Sequence, residues 1–374
     1  MEQVKISIIT AVLNAENTIE KTIRSVVEQT YPNVEYIIID GKSSDRTMEI
    51  IRKYSDRISK WVSEKDNGIY DAMNKGIGMA TGDVIALLNS DDWYEADALE
   101  YVAAQFQDKG LDMLFANIRI TDGRQVWDAQ PVSTERLRQR YKMMPVYHPA
   151  TFVRRRLFLE CGIFDIQYRI AADYEWVLRV LKTKPSIKCS DKVTTFFSIT
   201  GISSVYQKET YEETKRIALD YVLRGQDEEA TAVHYKKQDM VWQYKDMVNK
   251  PVTSSIFKRL SGIFPKRKIY IFGTGYIGEE CYKLLCTIGL SNAGFVDNNS
   301  ELWGQRYGNS GLFIFEPKIL DYKNDFVIIA STKYEEEIKC QLESMGFGGD
   351  DNIMPYSRIR ELAIKEIEKL NYEV

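Results

Sequence analysis

From residue 4 to residue 120 one pattern recurs, and it limits the fold more than any other feature of the chain. Short β-branched runs (KISIITAV, VEYIIIDG, KWVSE, DVIALLN, DMLFANIRI) alternate with stretches whose apolar residues fall three and four apart, such as NTIEKTIRSVVEQT and SDRTMEIIRKYSDR. The runs read as strands and the stretches as amphipathic helices. A rhythm of this kind predicts an α/β fold with a mainly parallel sheet covered on both faces. Ligands of such sheets bind beyond the carboxyl ends of the strands, so the polar residues that end each strand carry the functional information.

Those residues converge. The first strand reaches Thr10 and Asn14, and the second ends in Asp40, followed by GKSSDRT. The third ends in Glu64, followed by KDNGIYDAMNKG, and the fourth runs into Ser90-Asp91-Asp92-Trp93. Asp is a poor strand residue, so an adjacent pair at the end of a buried strand needs a reason. One reason is structural: Asp91 or Asp92 caps a helix beginning near Glu95. The other is a hard-cation site. Mg2+ and Mn2+ take carboxylate oxygens and, in phosphate chemistry, are held by one or two carboxylates plus the phosphates themselves. Four strands delivering polar groups to one sheet edge favour the cation.

Residues 121–204 are less regular. An Arg-rich stretch (Arg136, Arg138, Arg140, Arg154 to Arg156) surrounds MPVYHPATF, which contains His148, and an amphipathic helix begins near Ala171. Residues 206–249 read as a long, polar helical connector. A second βαβ pattern starts at Lys268 (KIYIFGTGYIGEECYKLL, AGFVDNN, DFVIIAST), and a charged tail helix follows Tyr356. The chain thus divides into a first domain over 1–205, a connector over 206–266 and a small domain over 267–374. A chain of 374 residues exceeds one comfortable core, which agrees with two domains. The net charge of -4 offers no basic field for nucleic acid. Five scattered cysteines and two histidines make no zinc or redox pattern. The N-terminus enters a strand directly and no window of about 18 apolar residues occurs, so a cytoplasmic location is the expectation.

Taken in order over roughly the first 200 residues, KISIITAVLN through DGKSSDRT and then SEKDNGIYDAMNKGIGMATGDVIALLNSDDW resemble glycosyltransferase family 2, of the GT-A nucleotide-diphospho-sugar transferase fold. The resemblance implies a nucleotide-diphospho-sugar donor, a UDP-sugar by preference, with Mn2+ or Mg2+ as cofactor and a glycan or lipid-linked acceptor. It implies that Thr10 and Asp40 hold the base, Asp40 accepting from a ring N–H of uracil or guanine. Asp66, Asp71 and Lys75 would line the nucleotide pocket. Asp91 would lie near the ribose, and Asp92 would bind the cation bridging the diphosphate. Asp66 and Asp71 have a plain alternative as turn and first-turn helix acids.

Transfer with inversion needs a carboxylate to take the proton of the acceptor hydroxyl, while a cation stabilises the leaving diphosphate. By the resemblance that base is Asp173 in YRIAADYEWVLRV, with Glu175 as second choice and an N-cap as the structural alternative. Many relatives carry Glu-Asp where this chain has Ala172-Asp173. His148 either reaches the diphosphate or the acceptor, or is a satisfied structural histidine. Arg154, Arg155 and Arg156 include a phosphate clamp or form a solvated face. Trp93 packs on a sugar face or in the core.

Gly273-x-Gly275-x-x-Gly278 follows the strand KIYIF and opens a helix, and Asp297 ends the next strand, which is the context of a dinucleotide fingerprint. The small domain resembles the Rossmann-like domain of sugar-modifying acetyltransferases, also appended to some glycosyltransferases. That resemblance implies either a nucleotide site or a structural, homo-oligomer-forming role. The segment from Ile256 to Lys268 sets apolar residues among Lys258, Arg259, Lys266, Arg267 and Lys268. It reads as an interdomain linker or as a peripheral contact with the anionic inner face of a membrane. Two other functions compete: an NAD(P)-dependent oxidoreductase working through the Gly273 motif, and a non-catalytic sugar-nucleotide-binding scaffold.

Overall fold

A computed structural model of the chain describes residues 3–122, 125–199, 206–222, 228–248, 261–262, 264–308, 310–348 and 352–372. It forms two compact units, 1–235 and 236–374. Unit 1 is built on a nine-stranded sheet. Its strands are β1 (Ile6–Val12), β2 (Val34–Asp40), β3 (Lys60–Ser63), β4 (Val84–Leu87), β5 (Trp93–Tyr94), β6 (Met113–Thr121), β7 (Val126–Asp128), β8 (Thr151–Arg154) and β9 (Ile187–Ser198). They lie in the order β3-β2-β1-β4-β8-β6-β9-β5, with β7 paired to β6.

The first four strands are parallel, as the alternating pattern predicts. Beyond β4 the sheet is mixed, with β8 antiparallel to β4 and β6, and β5 antiparallel to β9. The expectation of a mainly parallel sheet is corrected there. The regular strand–helix alternation that sets the parallel half ends at β6, and the strands after it, β8 among them, pair in both directions.

Because side chains alternate along a strand, β1 and β2 feed two cores. Ile6, Ile8, Val12, Tyr36 and Ile38 face the helices Ile19–Val27, Thr47–Lys53 and Ala98–Gln105. Ile9, Ala11, Ile37 and Ile39 face the helices Ile69–Met79, Arg155–Cys161 and Ala172–Leu181. Burial on both faces explains why these strands read as continuous apolar runs. Each enclosed isoleucine contributes about 1.5–3 kcal/mol. The helix Ile69–Met79 lies so near the sheet that a Cβ on Gly76 would come within 2.3 Å of Ile9 Cγ2.

At the amino-terminal side of the same strands sits Glu35, 4% exposed. Burial pushes its pKa up, but hydrogen bonds from Ser7, the Thr81 backbone and hydroxyl, and Lys60 outweigh it and hold the group down at about 2.

Unit 2 carries a five-stranded, wholly parallel sheet of β10 (Lys268–Phe272), β11 (Asn292–Val296), β12 (Ile314–Phe315), β13 (Asp325–Ile329) and β14 (Ile353–Pro355). The order is β12-β11-β10-β13-β14. The strand order reverses beside β10, and the glycine turn follows that strand. Gly273 has φ +115, and a Cβ on Gly278 would stand 2.2 Å from the Gly273 carbonyl oxygen.

The polar stretch after residue 205 forms two helices, Gln207–Val222 and Glu228–Val248. The first packs Ile217 and Ala218 against Ala171, Tyr174 and Leu178, so it is part of unit 1, and the boundary between units falls within the second. Of the apolar stripe expected over 256–268, Ile256, Phe257, Leu260 and Ile263 lie outside the described residues. Phe264 is buried edge-on against Phe326. No helix among the described residues is long and apolar enough to cross a membrane.

Candidate active site

Parallel register levels the strand ends: Val12 lies opposite Asp40, and Asp40 opposite Ser63. The loops beyond are tied to one another through side chains. The Asn14 backbone N–H donates to Ser43 Oγ at 2.8 Å, and Ser43 Oγ donates to Asp40 Oδ1 at 2.5 Å. Ser63 Oγ donates to Asp40 Oδ2 at 2.6 Å. Asn14 adopts φ +50, a left-handed conformation that asparagine tolerates, and its Oδ1 accepts from the Ser44 backbone at 2.8 Å. The Asp66 carboxylate lies against Gly41, where a Cβ would come within 2.5 Å of its Oδ2. Asp40 and Asp66 are therefore neighbours across that glycine.

Above these ends opens a cleft of about 690 Å³. Its walls include Asn14 and Asn17 after β1, Asp66 and Tyr70 after β3, Asn89 to Asp91 after β4, His148, the segment Arg169–Ala171 with Asp173, and Thr210 and Thr214. Four of the residues expected at a site are thus brought together: Asp66, Asp91, His148 and Asp173.

The Asp91–Asp92 pair is split by burial. Asp91 lines the cleft, whereas Asp92 is fully buried behind it and is not part of the wall. The Ser198 backbone donates to Asp92 Oδ1 at 2.9 Å, and Thr22 Oγ1 donates to the Asp92 carbonyl at 2.7 Å. Among the described residues Asp92 Oδ2 has no hydrogen-bond partner, and neither has the buried Asn89 Oδ1. Burial and the neighbouring Asp91 charge push the Asp92 carboxyl well above the usual carboxylate range. Among the described residues no three His, Cys, Asp or Glu side chains gather as a metal site. What this corner offers is two adjacent carboxylates and an amide oxygen, two of these oxygens lacking partners. An oxygen-only donor set of this size suits a hard cation whose remaining ligands are phosphates.

Asp173 stands in the first turn of the helix Ala172–Leu181. Its Oδ1 accepts from Tyr70 Oη at 2.8 Å and from the Tyr174 backbone at 2.9 Å, while its Oδ2 takes no hydrogen bond from the described residues. Tyr70 Oη also lies 2.7 Å from the Ile170 carbonyl oxygen. Burial and the Asp173 charge raise the Tyr70 pKa well above normal, so the phenol stays a donor. His148 opens a short 3-10 turn with Nε2 buried and without a hydrogen-bond partner among the described residues. Burial lowers its pKa, with the Asp173 charge opposing, which favours a neutral ring. Glu175 is committed elsewhere, paired with Arg179 at 2.7 Å and accepting from Tyr221.

The remaining expected residues stand away from the cleft wall. Thr10 is buried with its hydroxyl 3.2 Å from Tyr36 Oη. Asp40 lies beneath the loops it pins. Asp71 accepts from the Asn67 backbone at 2.9 Å, and Lys75 pairs with Glu64 at 2.9 Å and Asp71 at 3.6 Å. The three consecutive arginines serve the scaffold: Arg154 donates to the Leu111 and Phe106 carbonyls, Arg155 to the Gly82 carbonyl and Arg156 to Asp112. Trp93 stacks on Phe196 at 4.9 Å beneath Lys21, occupied by protein instead of sugar.

Several wall residues carry no signal in the sequence, above all Tyr70, Asn89, Arg169, Thr210 and Thr214. Tyr70 is hidden inside an apolar helix face, and the two threonines lie in a stretch that reads as a connector. In unit 2 a separate cleft of about 680 Å³ is lined by Gly273 to Ile277, Asp297 and Ala330 to Tyr334. There Asp297 accepts from the Thr274 hydroxyl at 2.7 Å and the Asn299 backbone at 2.9 Å, so both carboxylate oxygens are already engaged.

Comparison with known proteins bears on both units. Residues 7–162 match the profile described as Glycosyl transferase family 2, and residues 265–353 match one described as C2185-like, N-terminal. The chain is 30% identical over 178 residues to a PGL/p-HBAD biosynthesis glycosyltransferase of Mycobacterium bovis, spanning 46% of this chain and 68% of that protein. It is 32% identical over 206 residues to an uncharacterized glycosyltransferase of Mycobacterium tuberculosis, spanning 53% of this chain and 77% of that one. Among solved structures, S. aureus TarS 1–349 superposes with TM-score 0.51 at 18% identity, over 76% of this chain and 81% of that chain. The same fragment in complex with UDP-GlcNAc gives TM-score 0.50 at 21% identity, over 61% and 69%. A longer TarS chain is spanned over 47% of its length. These structural likenesses establish a shared fold.

Proposed function

The chain belongs to glycosyltransferase family 2, and from that premise we propose that it moves a sugar, with inversion, from a nucleotide-diphospho-sugar to a hydroxyl of a glycan or lipid-linked acceptor. The observation that carries this reading is the single cleft on which Asp66, Asp91, His148 and Asp173 all border. A UDP-sugar is the preferred donor, since TarS, which shares the fold, is seen with UDP-GlcNAc.

Asp173 acts as the general base in this reading. Its Oδ1 is saturated by Tyr70 and the Tyr174 backbone, which leaves Oδ2 to accept the proton of the incoming hydroxyl. Asp66 on the cleft wall forms the base-binding end, with Asp40 acting from beneath it through the loops it pins, and Asp71 and Lys75 fix the loop that carries Asp66. Thr10 supports from below through Tyr36. Neutral His148 faces the diphosphate or the acceptor beside Asp173. Mn2+ or Mg2+ would be held by Asp91 and Asp92 and would neutralise the charge of the departing diphosphate. Neither rival is favoured: the family match is to glycosyltransferases and not to oxidoreductases, and the scaffold reading leaves the open oxygen of Asp173 without a purpose.

Thermal denaturation against UDP-, GDP- and dTDP-sugars, with and without Mn2+, tests the reading, because a ligand at 100 times its Kd adds about 2.7 kcal/mol to native stability. A UDP-sugar should raise the melting temperature only when Mn2+ is present, and Asp91→Ala should lose that response. Stabilisation by NADH with none by any sugar nucleotide would overturn it.

A further inference from the structure

We infer that Glu213, on the helix Gln207–Val222, is a positioning residue that fixes the backbone presenting Asp173. Its Oε1 accepts from the Arg169 backbone N–H at 2.8 Å, and its Oε2 accepts from those of Ile170 at 2.9 Å and Ala171 at 3.0 Å. The inference rests on the reading of Asp173 as the base.

The physical need for such a group is local. A helix begins with N–H groups that its own backbone cannot satisfy. The helix Ala172–Leu181 starts from Ala171, whose side chain has nothing with which to accept them. Glu213 meets that need only at the Ala171 N–H and otherwise binds the two amides just ahead of the helix, so three charge-assisted bonds to three consecutive amides fix the entry of the chain into it. The same segment sets the base twice over. It leads directly into Asp173, and its Ile170 carbonyl shares the Tyr70 hydroxyl that donates to Asp173 Oδ1.

Packing between the two helices does not depend on Glu213. Ile217 and Ala218 pack on Ala171, Tyr174 and Leu178, and Tyr221 donates to Glu175. Removing the carboxylate therefore leaves the helices docked and loosens only the backbone before the base. Both Glu213 and Asp173 lie beyond residue 162, where the family match ends.

The test uses the full chain and the sugar nucleotide that stabilises it most. In Glu213→Gln, which keeps the shape but turns an amide N–H toward the backbone donors, kcat for UDP release should fall about 10- to 100-fold, the scale set by displacing a reacting group by up to about 1 Å. The Kd for UDP should stay within about twofold, and Glu212→Gln, an exposed neighbour, should behave as the parent. In an Asp173→Asn background the Glu213 change should add less than about twofold, as for residues acting as a unit. Normal kcat in Glu213→Gln beside an inactive Asp173→Asn would overturn this inference and leave the base standing. Parallel loss of UDP binding and kcat would overturn it too, since that marks a general structural role. Near-normal turnover by Asp173→Asn alone would instead remove the base, and this inference with it.

Discussion

Asp173 puts its two carboxylate oxygens to different uses. One is held by Tyr70 and a backbone amide, the other is open. That asymmetry orients the carboxylate without consuming it. Tyr70→Phe should therefore lower kcat by about tenfold while leaving the Kd for UDP unchanged, because it removes an orienting bond and not a binding one. Steady-state turnover alongside a UDP titration checks this. Glu35 makes a prediction about stability. Its folded pKa, about 2, lies below the value of an unfolded glutamate, so its contribution is fully present above about pH 4.3 and fades as pH falls toward 2. Denaturant melts should show the parent ahead of Glu35→Gln by up to about 3 kcal/mol at pH 7, with the gap closing in acid. A gap independent of pH would mean the carboxylate is not held in its charged form.

Elements differ in how plainly they announce themselves. β1 to β4 were legible because strands buried on both faces are continuous apolar runs, and their polar ends mark the carboxyl edge whatever the later topology. Asp91, after β4, stood out as a polar residue beyond an apolar strand, whereas Asp173 was singled out by the family resemblance; both border the cleft. The split between Asp91 and Asp92 was not, because which of two adjacent carboxylates turns inward depends on a distant partner, the Ser198 backbone at the end of β9. The helix Gln207–Val222 was legible as a helix, but not its packing onto unit 1, since its polarity reads as a connector although Ile217 and Ala218 are fully buried. The three arginines of Arg154–Arg156 misled by composition: their guanidiniums satisfy carbonyls and an acid within the scaffold. In unit 2 the Gly273–Gly278 turn was legible from spacing and rests on close approach. Gly278→Ala would press a methyl on the Gly273 carbonyl, costing about 1–3 kcal/mol. Its melting temperature should fall while the UDP Kd of the unit 1 cleft holds.

At the scale of the molecule, each unit places a cleft at the carboxyl edge of a parallel sheet segment, about 690 Å³ in unit 1 and about 680 Å³ in unit 2. Equal volume does not make them equal in chemistry. The cleft of unit 1 joins an open carboxylate oxygen on Asp173 to an acid pair whose buried member keeps an oxygen without a partner. That of unit 2 has its acid, Asp297, tied into its own turn. On the proposed reading sugar transfer belongs to unit 1, with donor binding on the Asp91 side and proton removal on the Asp173 side. The most direct measurement is a donor titration and a turnover assay on the same Asp173→Asn preparation. Sugar-nucleotide affinity should stay within about twofold of the parent while transfer falls by about a hundredfold or more. Transfer at near-parental rate, or loss of donor binding in this variant, would contradict it.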